Sequence, residues 1–194
     1  VCGESSGNVL LRREQYRVAD DPQRCCIIAR SMLFGKLSNS YASIQRTLRD
    51  HAPRVQGCGL EAAAQEIRDL LPQILEAANP DTLRGLEGVA ASAYFGVFDH
   101  LLLNRKEAFF FHGRNRRPPL DRVNAMLSFA YSLLAHDCAS ALESVGLDSY
   151  VGFLHRDRPG RQSLALDLME ELRPCIADRF VLTLVNNRMV RPED

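Results

Sequence analysis

Residues 121–146 read DRVNAMLSFAYSLLAHDCASALESVG, and this stretch sets the fold class. Asp121 is a residue type that caps helix N-termini. Val123, Leu127, Ala130, Leu134, Cys138, Ala141 and Val145 then recur at steps of three and four. Such steps return to one face of a 3.6-residue helix, and Gly146 stands where a helix can end. The spacing predicts a long helix over 122–145.

The same pattern continues on both sides. After Asp20-Asp21-Pro22, apolar residues at Ile28, Met32, Leu33, Leu37, Tyr41, Ile44 and Leu48 predict a helix to about Asp50. Pro53, Gly57 and Gly59 then make a loop. A second helix is expected from Leu60 to about Ala78, interrupted near Pro72. A third is expected over 82–103, where Gly85, Gly88 and Gly96 imply close packing or a site, since glycine in a helix costs about 1 kcal/mol relative to alanine. Pro118-Pro119 stops any helix before Asp121. Residues 147–162 read as a loop, Ser163 as the cap of a helix to about Arg173, and 178–187 as a final helix bent off at Pro174. The chain is therefore all-α, without internal repeats.

Hydrophobic residues make up 46% of the 194 and charged residues 25%, a balance that excludes disorder as the default. No run approaches the roughly 20 apolar residues of a membrane span, and the opening VCGESSGNVLLRREQ lacks a signal-peptide core. A cytoplasmic location is expected, with no membrane partner. The six cysteines show no zinc-finger spacing and read as reduced thiols. Net charge is zero, yet residues 104–122 hold six cations against two anions, so basic and acidic faces should be distinct.

Four acidic or imidazole side chains could carry chemistry. Glu87 projects at the edge of the small-residue face, where an ion pair with Arg84 is the alternative use. His155 ends the apolar stretch GFLH on a loop. Asp167 and Glu170 share one helix face opposite Leu168, Met169 and Leu172; paired carboxylates there can hold a divalent cation or form a solvated stripe. Mg2+ and Mn2+ are hard ions that take carboxylates, and Mn2+ accepts imidazole more readily. In the loop FFFHGRNRR, residues 109–117, Phe109, Phe110 and Phe111 adjoin Arg114, Arg116 and Arg117, with Arg122 just beyond. Guanidinium groups grip phosphate and aromatic rings stack on unpaired bases. The alternative is an exposed basic loop behind a buried aromatic cluster. A rival arrangement, His136-Asp137 with His100 or His112, would fit an HD-type phosphohydrolase.

Several longer runs fall into one known order: NVLLRREQY (8–16), GKLSN (35–39), LEGVAASAYF (86–95), RRPPLDRVNAMLSFAY (116–131), GLDSYVGFLH (146–155) and SLALDLMEELRP (163–174). With them the chain resembles the C-terminal catalytic domain of the CRISPR-associated spacer-acquisition integrase family, "Cas-one". The resemblance implies a helical lobe whose metal ligands are Glu87, His155 and Glu170, with Asp167 beside them, and Mg2+ or Mn2+ as cofactor. It implies an endonuclease and integrase that inserts foreign DNA fragments into CRISPR repeats by transesterification. The implied partners are DNA, a second copy forming a homodimer through a β-rich N-terminal domain, and the small Cas-two subunit. On that reading residues 1–19 are a remnant of the N-terminal domain and linker, and 20–194 the helical catalytic domain. The alternative is a truncated, non-catalytic DNA-binding module.

Overall fold

A computed structural model describes residues 8–193, and among these every regular element is helical, as expected. The long helix α2, Pro22–Val55, is the spine. Asp21 starts it by accepting hydrogen bonds from the amides of Gln23 and Arg24, with Pro22 in the first turn. Leu33, Leu37 and Ile44 on one side of α2 are buried. Helices α3, Leu60–Glu76, and α4, Pro80–Gly96, pack along it, and α6, Ser163–Leu172, crosses it. Helix α5, Arg122–Ser144, closes the bundle against α6 and the short α7, Arg179–Asn186. Asp121 caps α5 through the Asn124 amide, and Gly146 beyond its end has φ +90°, the left-handed backbone that favours glycine.

Helix α1, Val9–Ala19, lies ahead of the spine with Asn8 as its cap, while Cys2 and the rest of residues 1–7 lie outside the described residues. Of the other cysteines, Cys25, Cys26 and Cys138 are buried, Cys58 and Cys175 half-buried, and all are free thiols.

The structure differs from the periodicity in five places. Helix α2 does not end at Asp50: it kinks at His51 (φ −137°, ψ 25°) and continues through Pro53 to Val55, which is buried. The helix through Pro72 is not interrupted: proline removes one donor, but Leu70 and Ile74 on either side are buried in the core and hold the turn in register. The expected helix over 82–103 breaks at Gly96; Val97 leaves the helical register and Phe98–Leu101 forms a 3-10 turn that buries Phe98 and Leu101. Ser163 does not cap α6. Its hydroxyl is turned to the carbonyl of Arg156, and Gln162 holds the cap position without a side-chain bond. Finally, a Cβ at Gly85, Gly88 or Gly96 would meet nothing within 4 Å, so these glycines do not mark close packing. Close approach occurs at Gly35, whose Cβ would stand 2.7 Å from Cγ of Glu171, and at Gly152. Past α6, a π-helical turn over Arg173–Asp178 carries the chain around Pro174 into α7.

Candidate active site

Asp167 faces inward on α6 and is fully buried, together with Ser163, Leu164 and Glu170, its neighbours at steps of three and four on that side of the helix. Its carboxylate gathers the loop in front of it. Oδ2 accepts the amides of Phe153 (2.6 Å) and Leu154 (2.9 Å), and Oδ1 accepts the amide of His155 (2.9 Å) and contacts its Nδ1 at 2.6 Å. Gly152 lets this happen: a Cβ there would lie 2.8 Å from Oδ2 of Asp167 and 2.9 Å from the backbone of Ser163. The histidine is thus fixed through backbone and ring together, and the Nδ1–Asp167 contact leaves Nε2 as the free nitrogen.

Glu170 sits one turn further along α6, 3% exposed, with Oε1 4.0 Å from Nε2 of His155 and 2.7 Å from the Arg173 guanidinium. Lys36 of α2, also buried, places Nζ 2.6 Å from Oε2 of Glu170 and contacts Oε1 of Glu87 on α4. Burial pushes the Glu170 carboxyl upward, but Lys36, Arg173 and His155 together hold it below the usual carboxylate range. The Lys36 contact is ionic rather than directed, for Oε2 of Glu170 is buried without an aligned hydrogen bond. Glu87 does not pair with Arg84, which turns to Asp81 and the carbonyl of Leu154.

Glu170 thus approaches His155 directly and Glu87 through Lys36, whose ammonium stands between the two carboxylates. Among the described residues no three His, Cys, Asp or Glu side chains stand as a ready-made metal cluster. The donor set nevertheless fits a hard divalent ion: two carboxylates, one of them with a buried oxygen lacking a directed partner, and an imidazole oriented by a carboxylate.

Three residues of this site escape sequence reading. Lys36 occupies an inward position between Leu33 and Leu37, and a lysine there must be paired. Arg173 lies one turn after Glu170. Gln15 on α1 is buried and holds the loop that carries His155, donating to the carbonyls of Asp148 and Val151 and accepting the Asp148 amide. Its signal is a polar residue at a step of three from buried Val18.

The basic loop divides. Phe109 and Phe111 are buried, with the Phe111 ring packed on Phe95 and Phe98, so these rings are core and not open platforms. Arg114 turns inward, bonding Asn124 and Ser128 and lying 5.1 Å over the Tyr131 ring. Arg122 is exposed, with its guanidinium turned to the carbonyls of Ala108 and Pro192. Arg116 and Arg117 are exposed and make no hydrogen bond or ion pair among the described residues. His136 and Asp137 lie exposed on α5, apart from the buried carboxylates.

An all-helical domain that gathers two carboxylates and a carboxylate-held imidazole from three separate segments defines a class of helical acid–imidazole sites. The family model described as CRISPR-associated protein Cas1 matches residues 1–194, and the chain belongs to that family. It is 52% identical over 198 residues to a CRISPR-associated endonuclease Cas1 of Rhodospirillum rubrum, covering 100% of this chain and 57% of that protein. The chain thus spans little more than half the length of that relative. Among solved structures, a casposase bound to integration product superposes with TM-score 0.82 at 29% identity, over 98% of this chain and 51% of that one. A partial Cas6-RT-Cas1–Cas2 complex superposes with TM-score 0.78 at 26% identity, over 93% and 51%. No helix among the described residues is long and apolar enough to cross a membrane.

Proposed function

We propose that this chain supplies the phosphoryl-transfer site of a DNA endonuclease and integrase, with Glu87, His155 and Glu170 as ligands of a divalent ion. The observation that carries this reading is the meeting of two carboxylates from α4 and α6 on the one Lys36 ammonium, beside an imidazole whose other nitrogen is held by Asp167. Mg2+ or Mn2+ held there would polarise the scissile phosphate and favour deprotonation of the attacking 3′-hydroxyl or water. Asp167 fixes the ring of His155, and Arg173 fixes Oε1 of Glu170. Arg116 and Arg117, exposed and unpaired, hold the DNA backbone by charge-assisted bonds. Arg114 acts from inside as the strut of their loop, and Arg122 tethers its far end.

The substrates are DNA ends and the repeat into which they are joined, as the casposase neighbour's bound integration product supports. A second copy of the chain and the Cas2 subunit are the protein partners, in keeping with the Cas1–Cas2 neighbour. Residues 1–19 belong with the approach from an N-terminal domain, and 20–194 form the catalytic domain. The test is a strand-transfer and nuclease assay with Mg2+ or Mn2+. His155→Ala and Glu170→Ala abolish metal-dependent product, while His136→Ala spares it. DNA binding that survives Glu87→Ala, with no metal-dependent product from the wild type, makes the chain a non-catalytic DNA-binding module instead.

A further inference from the structure

A buried ammonium on a metal-binding carboxylate pair demands an explanation. Lys36 is 7% exposed, on the side of α2 that also buries Leu33 and Leu37, so its charge is largely withdrawn from water. Two carboxylates from different helices turn towards it, Glu170 buried and Glu87 half-buried, and without it they would repel each other in a site only partly screened by water. A divalent ion bound by Glu87 and Glu170 needs the same oxygens. An ammonium left there would stand against a double positive charge, which a poorly screened site forbids.

The structure also offers the lysine a second position. Behind it lies a void of about 20 Å³, bordered by Lys36, Ser40, Tyr94, Tyr131, Arg173 and Asp178. Asp178 is 1% exposed, hydrogen bonded by the Tyr131 hydroxyl, and feels the charge of Lys36 across the gap. A void of this size accommodates a displaced ammonium or one water molecule.

We propose that Lys36 is an internal competitor for the metal site: its ammonium occupies the space between Glu87 and Glu170 in the metal-free chain, and withdraws towards Asp178 when a divalent ion binds. This rests on the ligand assignment above and adds to it a residue that sets the affinity. Lys36 thereby holds the two acidic helices together without metal, and keeps metal affinity lower than the donor set alone would give.

The experiment is Mn2+ binding to the intact chain, followed by the loss of the free-ion electron paramagnetic resonance signal, together with thermal unfolding with and without Mn2+. Lys36→Met unfolds at lower temperature than the wild type without metal, yet binds Mn2+ about tenfold more tightly or better. Asp178→Asn weakens Mn2+ binding in the wild-type background and leaves it unchanged in Lys36→Met, because only a lysine needs the second position. Lys36→Gln serves as the alternate variant. Equal or weaker binding by Lys36→Met, or an Asp178→Asn effect of the same size in both backgrounds, overturns the proposal. So does a failure of both Lys36 variants to fold even with Mn2+ present. If neither wild type nor Lys36→Met takes up Mn2+ at all, the ligand assignment itself falls, and with it the role of Lys36.

Discussion

Replacing Asp167 by alanine removes the acceptor of three backbone amides and of the His155 ring contact at once. A buried amide left without a partner costs about 1–3 kcal/mol, and of the three only that of Leu154 is fully buried while those of Phe153 and His155 are partly so. Water entering the space vacated by the carboxylate recovers part of this, so a total of about 3–5 kcal/mol is expected. Urea unfolding measures the destabilisation. Amide hydrogen exchange at Phe153, Leu154 and His155 locates it, since protection there should collapse while that of α2 falls only with global stability. A destabilisation below about 1 kcal/mol, or intact protection at those three amides, would refute the claim that this carboxylate organises the loop.

Other expectations follow from the same geometry. Gly152→Ala drives a methyl group to 2.8 Å from Asp167 and 2.9 Å from the Ser163 backbone, at a cost of about 1–3 kcal/mol; a thermal midpoint equal to the wild type argues against this packing. Asp178, with its carboxyl pushed up from 3.8 to about 6 chiefly by burial, binds its proton more tightly folded than unfolded. Its contribution is therefore fully present below pH 3.8 and is lost as pH rises through about 6, amounting to about 3 kcal/mol at most. Asp178→Asn should flatten this part of the stability profile and gain relative to wild type at pH 7; an unchanged difference between pH 4 and pH 7 contradicts it. Replacing Arg116 and Arg117 by glutamine should weaken DNA binding and reduce the salt slope by about 0.9 for each phosphate no longer neutralised, whereas an unaltered slope removes the loop from the interface.

The helices from α2 onward were legible because each must bury one stripe, and the stripe repeats every three or four residues whatever the partner; α1, which buries only Gln15 and Val18, carries no such stripe and was not read as a helix. Asp121 and Gly146 could be read as the ends of α5 for an equally local reason. Local signals misled where tertiary packing outweighed them: Pro72 stays helical between Leu70 and Ile74, and Ser163 gives its hydroxyl to Arg156. The site was legible only residue by residue. Glu87, His155 and Glu170 could be named as candidates, but periodicity carries no information on their approach through α4, a loop and α6. Lys36 and Gln15 were hidden for the same reason. A buried polar side chain can be interpreted only with its partner, and those partners are remote in sequence.

The three-ligand assignment is tested most directly by a crystal soaked in Mn2+ and measured at a wavelength where manganese scatters anomalously. The account predicts one strong peak contacting Glu87, Glu170 and Nε2 of His155, with Lys36 turned away from the carboxylates. A peak on other side chains, or Lys36 still seated between Glu87 and Glu170 with no ion beside it, would contradict it.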